Sequence, residues 1–121
     1  MTFPLPKRKR LSPSHNRAKV QEKETAERFG GRQTKASGSS VEKGDVRITG
    51  VMRIENKTTK NKSFSVTTDH IGKIEQSVFG TSEIPTMCIE LDSGKHRFWV
   101  VPNWAMEEII FMLKEKNEFN K

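Results

Sequence analysis

At 121 residues the chain is long enough for one compact core and too short for two. Its 22 Lys and Arg outnumber 15 Asp and Glu, a formal charge of +7 that favours an anionic partner: nucleic acid, an acidic protein or an anionic membrane surface. The longest apolar run, Ile109 to Leu113, is far below the roughly 20 residues of a membrane span, and the single cysteine, Cys88, excludes an intrachain disulfide and a Cys-based zinc site.

Residues 1 to 14 combine Pro4, Pro6 and Pro13 with Lys7, Arg8, Lys9 and Arg10, too little apolar surface to order a segment. They predict a flexible basic arm ahead of a single domain over residues 15–121. No apolar signal segment follows this basic start, so the expected location is cytoplasmic, without membrane attachment. From Asn16 to Phe29 the chain lacks Gly and Pro, is rich in Lys, Glu, Gln, Ala and Arg, and stops at Gly30-Gly31. This predicts a mostly polar first helix. Residues 31 to 44, with three glycines and a Ser-Gly-Ser-Ser tract, predict a loop.

Val46 and Ile48 then alternate with Asp45, Arg47 and Thr49, and beyond a break near Gly50, Met52 and Ile54 alternate with Arg53, Glu55 and Lys57. Each run predicts a strand with one apolar and one polar face. Phe64 and Val66 predict a third strand, and Thr67, Thr68 and Asp69 offer N-caps for a helix with Ile71, Ile74 and Val78 on one stripe. A strand over Thr86 to Leu91, a turn at Asp92-Ser93-Gly94-Lys95 and a strand through Phe98, Trp99, Val100 and Val101 come next, ended by Pro102. Asn103 is the expected N-cap of a last helix from Trp104 to about Lys116. The order implies an α/β sandwich, a mixed central sheet flanked by helices.

The chemistry-bearing residues sit on the first two strands. Glu55 and Lys57, two apart, share a strand face, and a hairpin turning near Gly50 brings Asp45 alongside them. Two carboxylates there suit a hard cation such as Mg²⁺, with Mn²⁺ able to substitute, which acidifies a bound water and neutralises phosphate charge. An ammonium beside that water can orient it and offset charge developing at phosphorus. Asp, Glu and Lys together therefore point to phosphodiester hydrolysis. Glu-x-Lys alone carries no specificity, since a charged solvent-facing strand contains it as readily. Its context is more specific: Asp45 follows a glycine, stands ten residues before Glu55, and comes after a Ser-Gly loop and a Glu-bearing helix.

Gly44-Asp45, nine intervening residues and then Glu55-Asn56-Lys57 resemble the core motif of the PD-(D/E)XK nucleases, with Gly in place of its proline. Ser37-Gly38 before Lys43-Gly44-Asp45, and Lys57-Thr58-Thr59 after the motif, resemble the archaeal-type Holliday junction resolvases and their small phage counterparts. The resemblance runs from about Glu22 to Pro102. It implies a restriction-endonuclease-like sandwich with Asp45, Glu55 and Lys57 catalytic, and a glutamate of the first helix completing the metal site. Glu22, Glu24 and Glu27 are the candidates. Glu24 is the choice, because helical geometry puts it with Val20 and Glu27 and turns Glu22 away. Asn56 stands where the family has an apolar, core-facing residue, and the resemblance implies that its backbone carbonyl reaches the metal.

Lys60, Lys62 and Ser63 are candidates for holding DNA phosphates, as are Arg32, Lys35, Ser37 and Lys43 around the glycine-containing loop and Lys7, Arg8, Lys9 and Arg10 in the arm. His15, His70 and His96 lack closely spaced ligand partners and are expected as surface or capping residues rather than zinc ligands. Phe98, Trp99 and Trp104 are expected in core packing rather than base stacking. No Gly-x-Ser-x-Gly, Walker or Gly-x-Gly-x-x-Gly motif is present, so no small-molecule cofactor is expected. Ile109 to Leu113 turn through about 400° at 100° per residue and cannot all face one sheet. The surplus apolar surface predicts a homodimer. The expected protein is thus a homodimeric, Mg²⁺-dependent endonuclease of branched DNA, with four-way junctions foremost. Its rivals are another PD-(D/E)XK endonuclease of restriction, repair or DNA processing, and a non-catalytic basic DNA-binding protein.

Overall fold

The computed structural model of the chain describes residues 13–33 and 45–120. Its elements are α1 (Pro13–Phe29), β1 (Arg32–Gln33), β2 (Asp45–Ile48), β3 (Met52–Thr58), α2 (Thr68–Ser77), β4 (Ile84–Leu91), β5 (His96–Val100) and α3 (Asn103–Phe119). A 3-10 turn, Asp92–Gly94, joins β4 to β5. The strands form one sheet in chain order. β3 and β4 are parallel, with α2 in the crossover, and every other neighbouring pair is antiparallel. The fold is therefore α/β with a mixed five-stranded sheet, as the alternation of elements implies.

Several boundaries differ from expectation, each for a local reason. α1 begins at Pro13, so it takes in two residues assigned to the arm; a proline costs little in the first helical turn, where its missing N–H has no intrahelical partner. The helix stops as expected at Gly30, whose φ of 69° suits glycine, and the Gly31 N–H closes the end by donating to the Ala26 carbonyl at 2.9 Å. Arg32 and Gln33, expected in a loop, pair with Arg47 and Val46 as a short edge strand. Phe64 and Val66 do not form a strand. Phe64 instead packs into the cluster under α2, its ring 5.3 Å from that of His70, while Val66 is exposed.

Thr67 is the N-cap of α2: its side chain accepts from the His70 N–H, and His70 Nδ1 accepts from the Thr67 N–H at 3.1 Å, a reciprocal cap that accounts for this histidine. Asn103 is not the cap of α3. Pro102 holds that place, and the Asn103 amide lies within the first turn, 3.2 Å from Glu107 Oε1.

The sheet packs on both faces. Val46, Ile54 and Cys88 form the core toward α1, with Ala26, Ile48 and Met52 against them. Ile74, Met87 and Ile89 form the core toward α2, with Phe64, Ile71, Leu91 and Val100 around them. The α1 side also carries buried polar groups. Gln21 Nε2 donates to the Cys88 carbonyl at 2.9 Å, and the buried Thr25 hydroxyl lies 2.8 Å from the Gln21 carbonyl and 3.2 Å from Asn56 Oδ1.

Two buried carboxylates tie the elements together. Glu90, on β4, receives Arg17 of α1 in a two-pronged contact at 2.8 Å on each oxygen, the guanidinium of Arg97 on β5, and the Thr58 hydroxyl of β3 at 3.1 Å. Gly94 permits this, since a Cβ there would stand 2.8 Å from the Arg17 guanidinium. Glu83, just before β4, accepts from Arg47 Nε at 2.7 Å and from the Gly50 N–H at 3.0 Å, so it clamps the β2–β3 turn. Burial pushes both carboxyls up. The Arg17 and Arg97 hydrogen bonds at Glu90, and the Gly50 amide and Arg47 at Glu83, outweigh it and hold both below the usual carboxylate range.

A folded-state pKa lowered in this way stabilises the fold above the unfolded carboxyl range and loses that contribution as pH falls through the folded values. Stability should therefore be flat near neutrality and decline in acid, with Glu90→Gln reducing the acid slope. At neutral pH Glu90→Gln is expected to cost about 2–3 kcal/mol in denaturant unfolding, below the range for wholly buried pairs because both guanidinia keep some water contact. An unchanged denaturation midpoint would contradict this role for Glu90.

Candidate active site

The β2–β3 hairpin builds the site. Its strands alternate as the sequence predicts, its turn closes with the Val51 N–H donating to the Ile48 carbonyl at 2.9 Å, and Glu83 holds it from behind. The antiparallel register pairs Asp45 with Glu55, Val46 with Ile54 and Arg47 with Arg53. Residues directly opposite in such a pair share a sheet face, and so do residues two apart on one strand. Positions 45, 55 and 57 therefore share one face. It is the face of Met87 and Ile89, the β4 partners of Glu55 and Lys57, which α2 partly covers. Lys57 Nζ stands 3.1 Å from Glu55 Oε1, their side chains 36 % and 20 % exposed, an ion pair at the edge of the apolar cluster. Asn56 points the other way and is buried against Thr25, so its side chain belongs to the α1 side and only its backbone lies with the site.

A second charged row lies one step along the hairpin. Arg47 faces Arg53 across the strands, and the Glu83 carboxylate answers both: Arg47 through a 2.7 Å contact and Arg53 through its field. The sequence pattern already put these arginines on the face of Asp45 and Glu55. They went unchosen as site residues because a strand arginine on a polar face carries no signal of its own. The structure places them one step along the hairpin from Glu55, on the same face.

The first-helix glutamate is where the structure departs from the sequence expectation. α1 lies on the opposite face of the sheet from Glu55 and Lys57, turning Gln21 and Thr25 inward. Glu24 is half-exposed there, 3.5 Å from Arg17 Nη2 and 3.7 Å from Arg97 Nη2, and Glu27 stands 4.0 Å from Lys23. Glu22 shares the same helix. Glu24 is thus not brought to Asp45, Glu55 and Lys57. It serves the guanidinium cluster around Glu90.

Of the expected DNA contacts, Lys60, Lys62 and Ser63 are exposed in the segment just after β3. That segment is anchored where the Asp92 N–H donates to the Asn61 carbonyl at 2.8 Å and the Ser93 N–H to the Thr59 carbonyl at 3.1 Å. Arg32 is exposed on the edge strand β1. Lys7, Arg8, Lys9, Arg10, Lys35, Ser37 and Lys43 lie outside the described residues.

The aromatic residues are less enclosed than core packing predicts: Phe98, Trp99 and Trp104 are each 40 % exposed. Trp99 meets Phe29 edge-on with ring centroids 5.6 Å apart, and Trp104 Nε1 donates to Glu75 Oε2 at 2.7 Å. Cys88 is buried as expected, and burial pushes its thiol up to about 11, well away from a reactive thiolate.

Among the described residues no three His, Cys, Asp or Glu side chains gather into a metal cage. Mg²⁺ does not need one, since it keeps several waters and is held by one or two carboxylates together with substrate phosphate. Glu55 and the facing position 45 fit that donor set. Among the described residues no helix is long and apolar enough to cross a membrane.

Comparison of the chain with protein-family models, with curated proteins and with solved structures returns no match. The geometry of the site separates two glutamates. By isothermal titration Glu24→Gln should leave Mg²⁺ or Mn²⁺ binding unchanged, whereas Glu55→Gln should weaken it at least about tenfold. Equal losses in the two variants would mean that the helix reaches the site after all.

Proposed function

We propose that the protein is a metal-dependent endonuclease that hydrolyses phosphodiesters in branched DNA, four-way junctions foremost, with Asp45 and Glu55 holding Mg²⁺ and Lys57 serving the attacking water. The observation that supports this reading is the hairpin register. Asp45 stands opposite Glu55, with Lys57 two residues on and its ammonium 3.1 Å from the Glu55 carboxylate. The spacing that resembles the PD-(D/E)XK motif in sequence thus falls on one sheet face in three dimensions. The junction substrate comes from that resemblance, and the +7 charge is consistent with a nucleic-acid partner.

A Mg²⁺ bound here would supply Lewis acidity, lowering the pKa of a water and screening phosphate charge. The chain's own groups do the positioning. Lys57, placed between the Glu55 carboxylate and the edge of the apolar cluster, donates to the attacking water or to a phosphate oxygen, where charge develops in a partly dry setting. Arg47 and Arg53 extend positive potential along the same face. Lys60, Lys62 and Ser63, just beyond the end of β3, continue it toward the DNA backbone. A junction is resolved by two cuts on opposing strands and each chain carries one Asp45, Glu55 and Lys57 set, so the reading includes a homodimer.

Asp45→Asn and Glu55→Gln should each abolish Mg²⁺-dependent cleavage of synthetic four-way junctions while retaining junction binding. Lys57→Ala should lower turnover about 10²–10³-fold with metal affinity kept. Cleavage of linear duplex as fast as of junctions would point to a general DNA-processing nuclease. Binding with no Mg²⁺-dependent cleavage would leave a non-catalytic DNA-binding protein and overturn the proposal.

A further inference from the structure

α3 is tied to the body at its first turn, where Ala105 is buried and Trp104 bonds to Glu75; Ala105 is the only buried residue of the 17. Beyond that turn the helix carries apolar side chains into solvent: Met106 is 42 % exposed, Ile110 46 %, Phe111 61 %, Met112 50 % and Leu113 60 %. A helix of this length gains little stability in water from its own hydrogen bonds, and most of what holds such a helix is burial of an apolar face. The broad hollows along α3, one of about 490 Å³ lined by Trp104, Glu107, Glu108, Phe111 and Met112, are surface grooves on this same helix.

We infer that two copies of the chain pair through α3, the helices antiparallel about a two-fold axis between residues 111 and 112. Met106, Ile110, Leu113 and Asn117 recur at alternating steps of four and three, the period of a two-stranded seam. Run in opposite directions, Ile110 of each copy layers against Leu113 of the other, and Met106 against Asn117. The charges select this arrangement. Glu107 and Lys114 are exposed and lie on one flank of the seam, seven residues apart. Antiparallel pairing sets Glu107 of each copy against Lys114 of the other, twice per dimer. A parallel seam would instead set them beside Pro102 and Ile109, without counter-charge. Antiparallel packing also sets the positive end of each helix dipole beside the negative end of the other. A second copy of the chain is thus complementary to this seam in apolar spacing and in sign. The inference rests on the homodimer proposed above and is independent of the nuclease chemistry.

The test is a charge swap read by sedimentation. The wild-type chain should dimerise, and Glu107→Lys and Lys114→Glu should each weaken self-association about tenfold, since the pair occurs twice, with helical content by circular dichroism unchanged. An equimolar mixture of the two variants should restore association as a heterodimer, because every seam contact is then opposite in sign. A wild-type dimer that both variants retain, with no preference for mixed pairing, keeps the homodimer and overturns the α3 register. A wild-type chain that stays monomeric overturns both; loss of α3 hydrogen-exchange protection on deleting residues 1–12 would then place the basic arm on the helix. Cleavage is read separately, so a pairing protein that does not cut DNA would overturn the nuclease reading and leave the helix pairing standing.

Discussion

The carboxylate of Glu90 is the constraint around which the domain is arranged. It sits with no solvent exposure on the interior strand β4, where an isolated charge would be prohibitive, and it persists because three other elements reach it: α1 through Arg17, β5 through Arg97 and β3 through Thr58. An apolar residue there would pack β4 equally well but would leave two guanidinia near the sheet without a counter-charge. The ion cluster thus adds to apolar burial on the α1 side of the sheet, where Val46, Ile54 and Cys88 form only part of the packing. That is why α1 can be so polar, with Gln21 and Thr25 as its innermost side chains.

The two faces of β3 consequently do different work. Ile54, Asn56 and Thr58 belong to the α1 side and hold the helix in place, whereas Glu55 and Lys57, interleaved with them, belong to the α2 side and remain partly open to solvent. A strand that serves both layers fixes its register twice, because a slip by one residue would exchange buried for exposed groups on both sides at once. The candidate site thereby sits on one of the most constrained strands of the molecule. Asn56, out of place in an apolar position, follows from the same division, because the helix it faces offers a hydroxyl rather than a methyl group.

Local alternation and turn chemistry are enough to read the hairpin, the helix stop at Gly30-Gly31, a cap among Thr67, Thr68 and Asp69, and the three helices around a mixed sheet from the sequence. What was not legible depends on distant partners. Phe64 and Val66 alternate as a strand does, but Phe64 is drawn into the apolar cluster under α2 instead. The strand expected over Thr86 to Leu91 begins earlier, at Ile84, and takes in Pro85 near its first residue, where a missing N–H costs one ladder bond at the end of the strand. Glu90 and Glu83 carry no signal in the sequence, since nothing nearby announces Arg17 or Arg47 as partners. The side of the sheet on which α1 lies, which decides whether Glu24 can join Glu55, is a tertiary fact with no local signature. Asp45, Glu55 and Lys57 were legible because their relation is a matter of strand period and one turn.

Arg17 and Glu90 are 73 positions apart in the chain. A contact of that span repays its loop-closure entropy only after the intervening strands have paired, so α1 is a late-docking element and the β2–β3 hairpin an early one. As the chain emerges during synthesis, the helix comes first and waits, its arginine still hydrated, until β4 and β5 bring the carboxylate to it. In the order of folding, the N-terminal segment is the latch of the domain rather than its seed.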